Sequence, residues 1–269
     1  MRIVVKVGSS SISGANTGQM LTIVDAIASA RKAGHEIILV SSGAIASGIP
    51  VLQLQGRPTD LATQQAAAAV GQNILIGRWQ AALDFHKVVA GQILLTTADL
   101  GNTKTRANAG RAMETMLGMG VIPIVNENDT VATDEIRFGD NDKLAALVAE
   151  LMDADHLLLL SDVDALYDRP PSVEDAKPIN FVAYGDALED IELGAVATDV
   201  GLGGAVTKVA AARYAAEHGI TAQITAAAYV QKALAGDRLG TIFESNPNGH
   251  PGNPTIDKTV TAQETVAKG

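Results

Sequence analysis

Acidic and amide side chains are concentrated in one segment of the chain, NENDTVATDEIRFGDND, which runs from Asn126 to Asp142. Side chains of these types bind amino groups, orient lysines or hold water bound to Mg²⁺. The ordinary structural explanation makes Asn141 the N-cap of the helix that follows and places Asp142 in its first turn, where an acid is favourable. That explanation does not account for the NEND cluster directly after the apolar run VIPIV, so we predict a polar site there.

Two lysines, Lys6 and Lys208, are the candidate partners of these acids. Lys6 lies late in the apolar run RIVVKV, and its ammonium group would project over the amide-rich loop VGSS. Lys208 opens an Ala-rich helix, where a cation is mildly unfavourable unless an anion lies nearby. A lone lysine in either place is commonly a surface side chain. Two lysines that face a set of phosphates would instead suit phosphoryl transfer, which depends on positioning and on the neutralisation of charge.

Glycine-bearing loops supply the second part of the predicted chemistry. Gly8, Gly43, Gly203 and Gly204 stand where a strand or turn leads into a helix, and successive backbone amides at such points bind anions. Neither G-x-x-x-x-G-K-[ST] nor G-x-G-x-x-G occurs at a strand–helix junction. The loops therefore predict a ligand with several phosphates, held without a P-loop or a Rossmann fingerprint.

Composition narrows the classes of protein and of partner. The 269 residues suffice for a large α/β core, and the absence of cysteine excludes disulfides and thiolate metal sites. A net charge of −10 argues against nucleic acid and anionic membranes as partners, and it requires a local basic site for any anionic substrate. No apolar run approaches the length of a membrane span, and no histidines pair at metal-ligand spacing. We expect a cytoplasmic protein.

The elements that must position these residues alternate between strand and helix. Strands are predicted at RIVVKV, EIILV, VVAGQILLT, VIPIV and HLLLLSD, with helices at about 18–32, 60–86 and 102–119 and after the polar segment. Continuously apolar strands separated by helices imply a mostly parallel sheet that is covered on both faces. Ligands bind such sheets beyond the carboxyl ends of the strands, which is where the polar and glycine-bearing loops lie.

Seven motifs between Arg2 and Phe243 resemble the amino acid kinase family, and within it the branch that phosphorylates glutamate. They are VVKVGSS, VSSGAIASG, GQILLTTADL, IPIVNENDTVAT, FGDNDKLAALVA, LLLLSDVDALY and GTIF. The resemblance implies a three-layer αβα sandwich and transfer of the γ-phosphoryl group of ATP to the side-chain carboxylate of L-glutamate. Mg²⁺ would be carried mainly by the nucleotide phosphates. The product would be L-glutamyl 5-phosphate, the first intermediate of proline biosynthesis. Homo-dimers or tetramers and feedback inhibition by proline are also implied.

The resemblance assigns roles to individual residues. Lys6 and Lys208 match the lysines that stabilise the transferring phosphoryl group, and Asp142 matches the acid that orients them. Glutamate-binding positions are matched by Ser42, Asp129 and Asn141, with Asn126 as a weaker candidate nearby. The nucleotide-binding set implied by the family comprises Lys6, Gly8, Ser161, Asp162, Gly203, Gly204 and Lys208. The family pattern assigns no metal ligand to the chain.

The chain departs from the family pattern at GLGGAVTK, where relatives carry GTGGMSTK. Leu202 and Val206 replace hydroxyl residues, a change that bears on nucleotide affinity or choice. Residues 1–245 are predicted to form one kinase domain. Residues 246–269, which are rich in Pro, Gly and Asn and then polar, are predicted to be a flexible tail, too short for the C-terminal domain that many relatives append.

Other functions occur on the same fold, so the fold alone does not identify the substrate. The nearest alternatives phosphorylate N-acetylglutamate, aspartate, carbamate or a nucleotide monophosphate. The last would need basic residues for the acceptor phosphate, where this chain supplies acids and amides. A catalytically silent glutamate or proline sensor would be favoured by the loss of Lys6 or Lys208, and both are present. A nicotinamide oxidoreductase would need the missing dinucleotide fingerprint.

Overall fold

The computed structural model describes residues 1–16, 18–132, 140–169, 171–188 and 204–249. Within these ranges the strands are β1 (Arg2–Val7), β2 (Glu36–Ser41), β3 (Ala90–Leu95), β4 (Ile122–Glu127), β5 (His156–Ser161), β6 (Leu166–Tyr167), β7 (Pro178–Ile179), β8 (Phe181–Val182), β9 (Thr221–Ala226) and β10 (Thr241–Phe243). The α-helices are α1 (Gln19–Lys32), α2 (Ala44–Val51), α3 (Leu61–Asp84), α4 (Thr97–Gly101), α5 (Thr103–Gly118), α6 (Asp140–Leu151), α7 (Ala205–Glu217) and α8 (Val230–Leu234). No helix in the described ranges is long and apolar enough to cross a membrane.

The central sheet contains eight strands in the order β3-β4-β2-β1-β5-β9-β10-β8. The first six strands in this order run parallel to one another. At the far edge β10 pairs antiparallel with β9, and β8 runs parallel to β10. A separate antiparallel ribbon is formed by β6 and β7. The predicted mostly parallel sheet is therefore confirmed.

Two hydrophobic cores cover the two faces of this sheet. Helices α4, α5, α6 and α7 contribute to the core on one face, and α1, α2, α3 and α8 contribute to the core on the other. Along β1, Val4 belongs to the first core, whereas Val5 and Val7 belong to the second, because successive side chains of a strand point to opposite faces. The helix, sheet and helix layers confirm the predicted αβα sandwich.

The same alternation decides where Lys6 points. Lys6 lies two residues after Val4 and therefore faces the layer that contains α6 and α7. Strand β1 has β2 on one side and β5 on the other, with Val7 paired to Ser41 and to Leu160. The carboxyl end of β1 thus lies in the middle of the sheet, beside the loops that the sequence identified.

Two boundaries next to the polar segment differ from the sequence-based expectation. Strand β4 continues past VIPIV through Asn126 and Glu127, and both of these side chains are buried. Helix α6 begins at Asp140, so Asn141 is its second residue and the prediction of Asn141 as an N-cap was wrong. The side-chain amide of Asn141 bonds across the site to Ser42 and Asn126 instead of to its own helix.

The described chain continues past β10 into a turn at Asn246–Gly249 that packs on the end of α7. The Asn246 backbone N–H donates to the Ala216 carbonyl over 2.8 Å, and the Gly249 backbone approaches Gly219. The Ala216 carbonyl, near the carboxyl end of α7, also accepts from the Gly219 N–H over 3.0 Å, so the Asn246 bond is a second bond to this carbonyl and ties the turn to the helix end. The remainder of the predicted tail, residues 250–269, lies outside the described ranges.

Candidate active site

Asp142 lies between two buried lysines at the centre of the site. Lys6 Nζ is 2.6 Å from Asp142 Oδ1, and Lys208 Nζ is 3.3 Å from Asp142 Oδ2. The exposed fractions of Lys6, Asp142 and Lys208 are 5%, 1% and 8%. The trio carries two positive charges and one negative charge, so it is a local basic site within an acidic protein. The structure therefore brings together the three residues that were predicted to be catalytic.

The pKa shifts of these groups follow from burial and from their neighbours. Burial lowers the pKa of Lys6, and the charge of Lys208 lowers it further, while Asp142 opposes both effects. Burial by itself would raise the pKa of Asp142, but the charges of Lys6 and Lys208, with hydrogen bonds from Lys6 and Thr207, hold that pKa below its usual range. Asp142 is accordingly a carboxylate at neutral pH and a poor proton acceptor.

Thr207 is a further partner of Asp142. Its hydroxyl donates to Asp142 Oδ2 over 2.7 Å and also lies 3.0 Å from the Gly204 carbonyl. Thr207 lies in the stretch GLGGAVTK, where it matches the threonine of the family pattern GTGGMSTK, but the resemblance was not used to give it a role. Its place directly before Lys208 was the available signal, because the first turn of α7 carries both side chains to the same carboxylate.

An adjoining polar cluster contains two of the predicted glutamate-binding residues. Asn141 Nδ2 donates to Ser42 Oγ and to Asn126 Oδ1, each over 3.0 Å. Ser42 follows the end of β2, and Asn126 lies within β4. Asp129, the third predicted residue, lies two positions beyond β4 and is half-buried. Asn126, the weaker candidate, is therefore a direct neighbour of Asn141.

The predicted nucleotide-binding residues lie at the ends of β1 and β5 and at the start of α7. Gly8 follows β1, and a Cβ placed on it would lie 3.8 Å from Lys6 Nζ. Ser161 ends β5 and is buried, whereas the neighbouring Asp162 is exposed. Gly204 directly precedes α7. Gly203 and the substituted Leu202 lie outside the described residues, while the other substituted position, Val206, is 52% exposed.

The side chains that could act as metal ligands indicate how a divalent cation would be held. In the part of the chain that the structure describes, no three His, Cys, Asp or Glu side chains are grouped so that they could hold a metal ion. The carboxylate of Asp142 is engaged by Lys6, Lys208 and Thr207. Asp162, directly after β5, is an exposed carboxylate. Such residues fit a cation that arrives with phosphates better than one that is bound by protein ligands alone.

Known proteins with similar sequences include several glutamate 5-kinases. The glutamate 5-kinase of Clavibacter sepedonicus is 64% identical over 242 residues, which cover 90% of this chain and 93% of that protein. The glutamate 5-kinase of Leifsonia xyli is 60% identical over 243 residues, which cover 90% of each chain.

Solved structures with low sequence identity share the fold. Carbamate kinase from Giardia lamblia bound to AMP-PNP superposes with a TM-score of 0.64 at 17% identity, covering 91% of this chain and 98% of that chain. Uridylate kinase from Archaeoglobus fulgidus gives a TM-score of 0.60 at 15% identity, covering 90% and 100%. The amino acid kinase family model matches residues 1–226. By fold, by relatives and by this match, the chain belongs to the amino acid kinase family.

Proposed function

We propose that this protein uses ATP to phosphorylate the side-chain carboxylate of L-glutamate, giving L-glutamyl 5-phosphate and ADP, the first step of proline biosynthesis. The observation that carries the proposal is Asp142, held between the ammonium groups of Lys6 and Lys208 at the carboxyl ends of the central strands. The relatives named glutamate 5-kinase, at up to 64% identity, support the choice of glutamate as the acceptor.

The reaction requires charge stabilisation but no proton transfer. An oxygen of the ionised side-chain carboxylate attacks the γ-phosphorus, the bond from that phosphorus to the bridging oxygen breaks, and ADP leaves with the electron pair. An ionised carboxylate is already a competent nucleophile, so no general base is needed. This agrees with a centre in which the pKa of Asp142 is lowered and its oxygens bind lysines and a threonine.

Lys6 and Lys208 would neutralise negative charge on the phosphoryl group as it is transferred. Phosphoryl transfer spreads charge over the equatorial oxygens, and buried cations stabilise such charge more strongly than exposed ones. Asp142 would hold the two ammonium groups apart and aim both at the phosphates. Its presence also lowers the cost of burying two like charges when no nucleotide is bound.

The Ser42–Asn141 cluster would bind the acceptor amino acid beside the phosphoryl site. Asn141 and Asp142 are consecutive residues at the start of α6, so one helix turn connects acceptor binding to the charge-stabilising centre. The half-buried carboxylate of Asp129 suits the α-ammonium group of glutamate. We therefore propose Ser42, Asp129 and Asn141 as the glutamate-binding residues, with Asn126 supporting them.

The nucleotide would lie across the ends of β1 and β5 and the start of α7. Gly8, Gly204 and Gly203 would let backbone amides approach the phosphates, while Ser161 and Asp162 would contact the rest of the nucleotide. Mg²⁺ would be held mainly by the phosphates, where it neutralises part of their charge. Cytoplasmic location, assembly into homo-dimers or tetramers and feedback inhibition by proline are further proposals that rest on the family resemblance.

An assay of ADP release over a panel of acceptors tests the proposal. L-Glutamate, N-acetylglutamate, L-aspartate, carbamate and UMP are compared at equal concentrations, with hydroxylamine present to trap the acyl phosphate as a hydroxamate. Acetylation removes the ammonium group and leaves its partners unpaired, so we expect about 10- to 100-fold less turnover of N-acetylglutamate. Comparable turnover of N-acetylglutamate, or a preference for any other acceptor, would overturn the assignment.

A further inference from the structure

We propose that Gln72 is a positioning residue of the acceptor site. Acting through Asn126 and Asn141, it keeps the Ser42 hydroxyl as a hydrogen-bond donor to a carboxylate of the substrate. This inference rests on the proposed function, because it concerns the cluster that would bind glutamate. Gln72 lies on α3 and is outside every motif that the sequence analysis identified.

A continuous chain of side-chain hydrogen bonds joins Gln72 to Ser42. Asn126 Nδ2 donates to Gln72 Oε1 over 2.6 Å, and Asn126 Oδ1 accepts from Asn141 Nδ2 over 3.0 Å. Asn141 Nδ2 also donates to Ser42 Oγ over 3.0 Å. We call these four residues the amide chain. Its members come from α3, β4, α6 and the loop after β2, so the chain connects elements on both faces of the sheet.

The direction of every bond in the amide chain is set by one backbone donor. The Glu127 N–H lies 2.9 Å from Asn126 Oδ1 and 3.3 Å from Asn141 Oδ1. A backbone N–H can only donate, so both asparagines must turn their oxygen atoms towards it. The Asn126 side chain can therefore only donate to Gln72, through its NH₂ group, and Gln72 accepts with its side-chain carbonyl oxygen.

The consequence appears at Ser42. Its Oγ accepts a hydrogen from Asn141, and a serine hydroxyl carries a single hydrogen of its own. Within the described residues, that hydrogen has no acceptor. A carboxylate is an acceptor and never a donor when ionised, so the amide chain prepares Ser42 for an anionic group of the amino acid.

Helix packing holds the two ends of the amide chain at a fixed separation. Gln72 follows Gly71, where α3 crosses α2 so closely that a Cβ on Gly71 would lie 1.8 Å from the Ala44 carbonyl oxygen. Ala44 begins α2, two residues after Ser42. The crossing therefore fixes Gln72 relative to Ser42. Removal of the Gln72 acceptor would leave Asn126 held only through its oxygen atom, by the Glu127 N–H and Asn141, so its position would be restrained less firmly although neither helix moves.

Steady-state kinetics of Gln72→Met test the proposal, since methionine is similar in size and offers no comparable acceptor. We expect the KM for glutamate to rise about five- to tenfold, with kcat and the KM for ATP changed less than about twofold. Asn73→Ala, at the exposed next position of α3, is the matched control and should leave all three values unchanged. Gln72→Ala replaces the methionine variant if thermal melts show that the latter is unfolded.

A double mutant decides whether Gln72 acts through Ser42. In a Ser42→Ala background the Gln72→Met change should raise the KM for glutamate less than twofold, because the group it positions is already absent. An unchanged KM in Gln72→Met, or a full additional effect in the double mutant, would overturn the inference and leave the proposed function standing. A wild-type protein that releases no ADP with glutamate would overturn the proposed function and this inference together.

Discussion

The charges at the centre of the site are coupled to one another. Removing the charge of Lys6, Asp142 or Lys208 would change the electrostatic environment of the other two. The trio is buried, and each lysine contacts a different oxygen of the carboxylate. If the lysines stabilise charge that develops in the transition state, the interaction strengthens during the reaction and its loss lowers kcat more than it raises KM. Residues that hold the unreactive part of glutamate should show the opposite pattern.

We predict that Lys6→Ala, Lys208→Ala and Asp142→Ala each lower kcat about 10²- to 10³-fold, whereas Asn141→Ala mainly raises the KM for glutamate. Steady-state kinetics measure both constants, and thermal melts exclude unfolding as the cause. Lys143→Ala is the matched control, because Lys143 is an exposed neighbour of Asp142 on the same helix. Near-normal kcat in a folded Lys208→Ala protein would refute the mechanism.

Thr207 offers a finer test of how Asp142 is oriented. Its hydroxyl hydrogen bond to Oδ2 restrains the carboxylate so that each oxygen faces one lysine. Thr207→Val keeps the shape of the side chain and removes that bond to a charged group, so we expect kcat to fall about tenfold. Thr207→Ser keeps the hydroxyl and should stay within about twofold of wild type. The idea fails if the valine and serine variants have the same kcat.

At the scale of elements, the crossing of α2 and α3 is the contact that fixes the separation of Ser42 and Gln72. Gly48 and Gly71 face each other there, and a Cβ on Gly48 would lie 2.0 Å from the Ala67 carbonyl oxygen. Only glycine lets the two backbones approach this closely. Sequence reasoning assigned α3 but not α2, because Gly48 and Pro50 within AIASGIPV are poor residues for an isolated helix.

A pair of glycine substitutions in α3 should therefore have opposite effects on stability. Gly71→Ala forces a methyl group into the Ala44 backbone, and we expect it to lower the free energy of unfolding by about 1–3 kcal/mol. Gly77 lies in the same helix, and a Cβ placed on it would have no atom within 4 Å. Because alanine has the higher helix propensity, Gly77→Ala should raise the free energy of unfolding by up to about 1 kcal/mol. Urea unfolding measures both, and similar shifts in the two variants would contradict the packing argument.

At the scale of the whole molecule, the question is where the folded unit ends. The turn at Asn246–Gly249 supplies donors to α7, including the bond from Asn246 to Ala216. We predict that a chain ending at Gly249 keeps its melting temperature and activity. A chain ending at Ser245 should keep its activity but melt about 2–4 °C lower. Differential scanning calorimetry with parallel ADP-release assays checks both, and a large loss of activity in the Gly249 chain would show that residues 250–269 contribute.

The sequence by itself determined most of the central strands and long helices, because apolar periodicity is encoded locally. Apolar runs predicted five of the six parallel strands, and β9 was not predicted. Residue types and loop positions singled out Lys6 and Lys208, whereas the family resemblance assigned roles to Ser42, Asn141 and Asp142. It could also predict that Lys6 faces one side of its strand, but not which helices cover that side.

Only the tertiary structure decided which side chains meet. Thr207 and Asp142 are 65 positions apart, and Gln72 and Asn126 are 54 apart, so no local pattern connects the members of either pair. Strand order places β1 between β2 and β5, and alternation along β1 turns Lys6 towards α6 and α7. Hydrogen-bond direction and carboxylate orientation depend on contacts between distant elements, which exist only once the layers have packed.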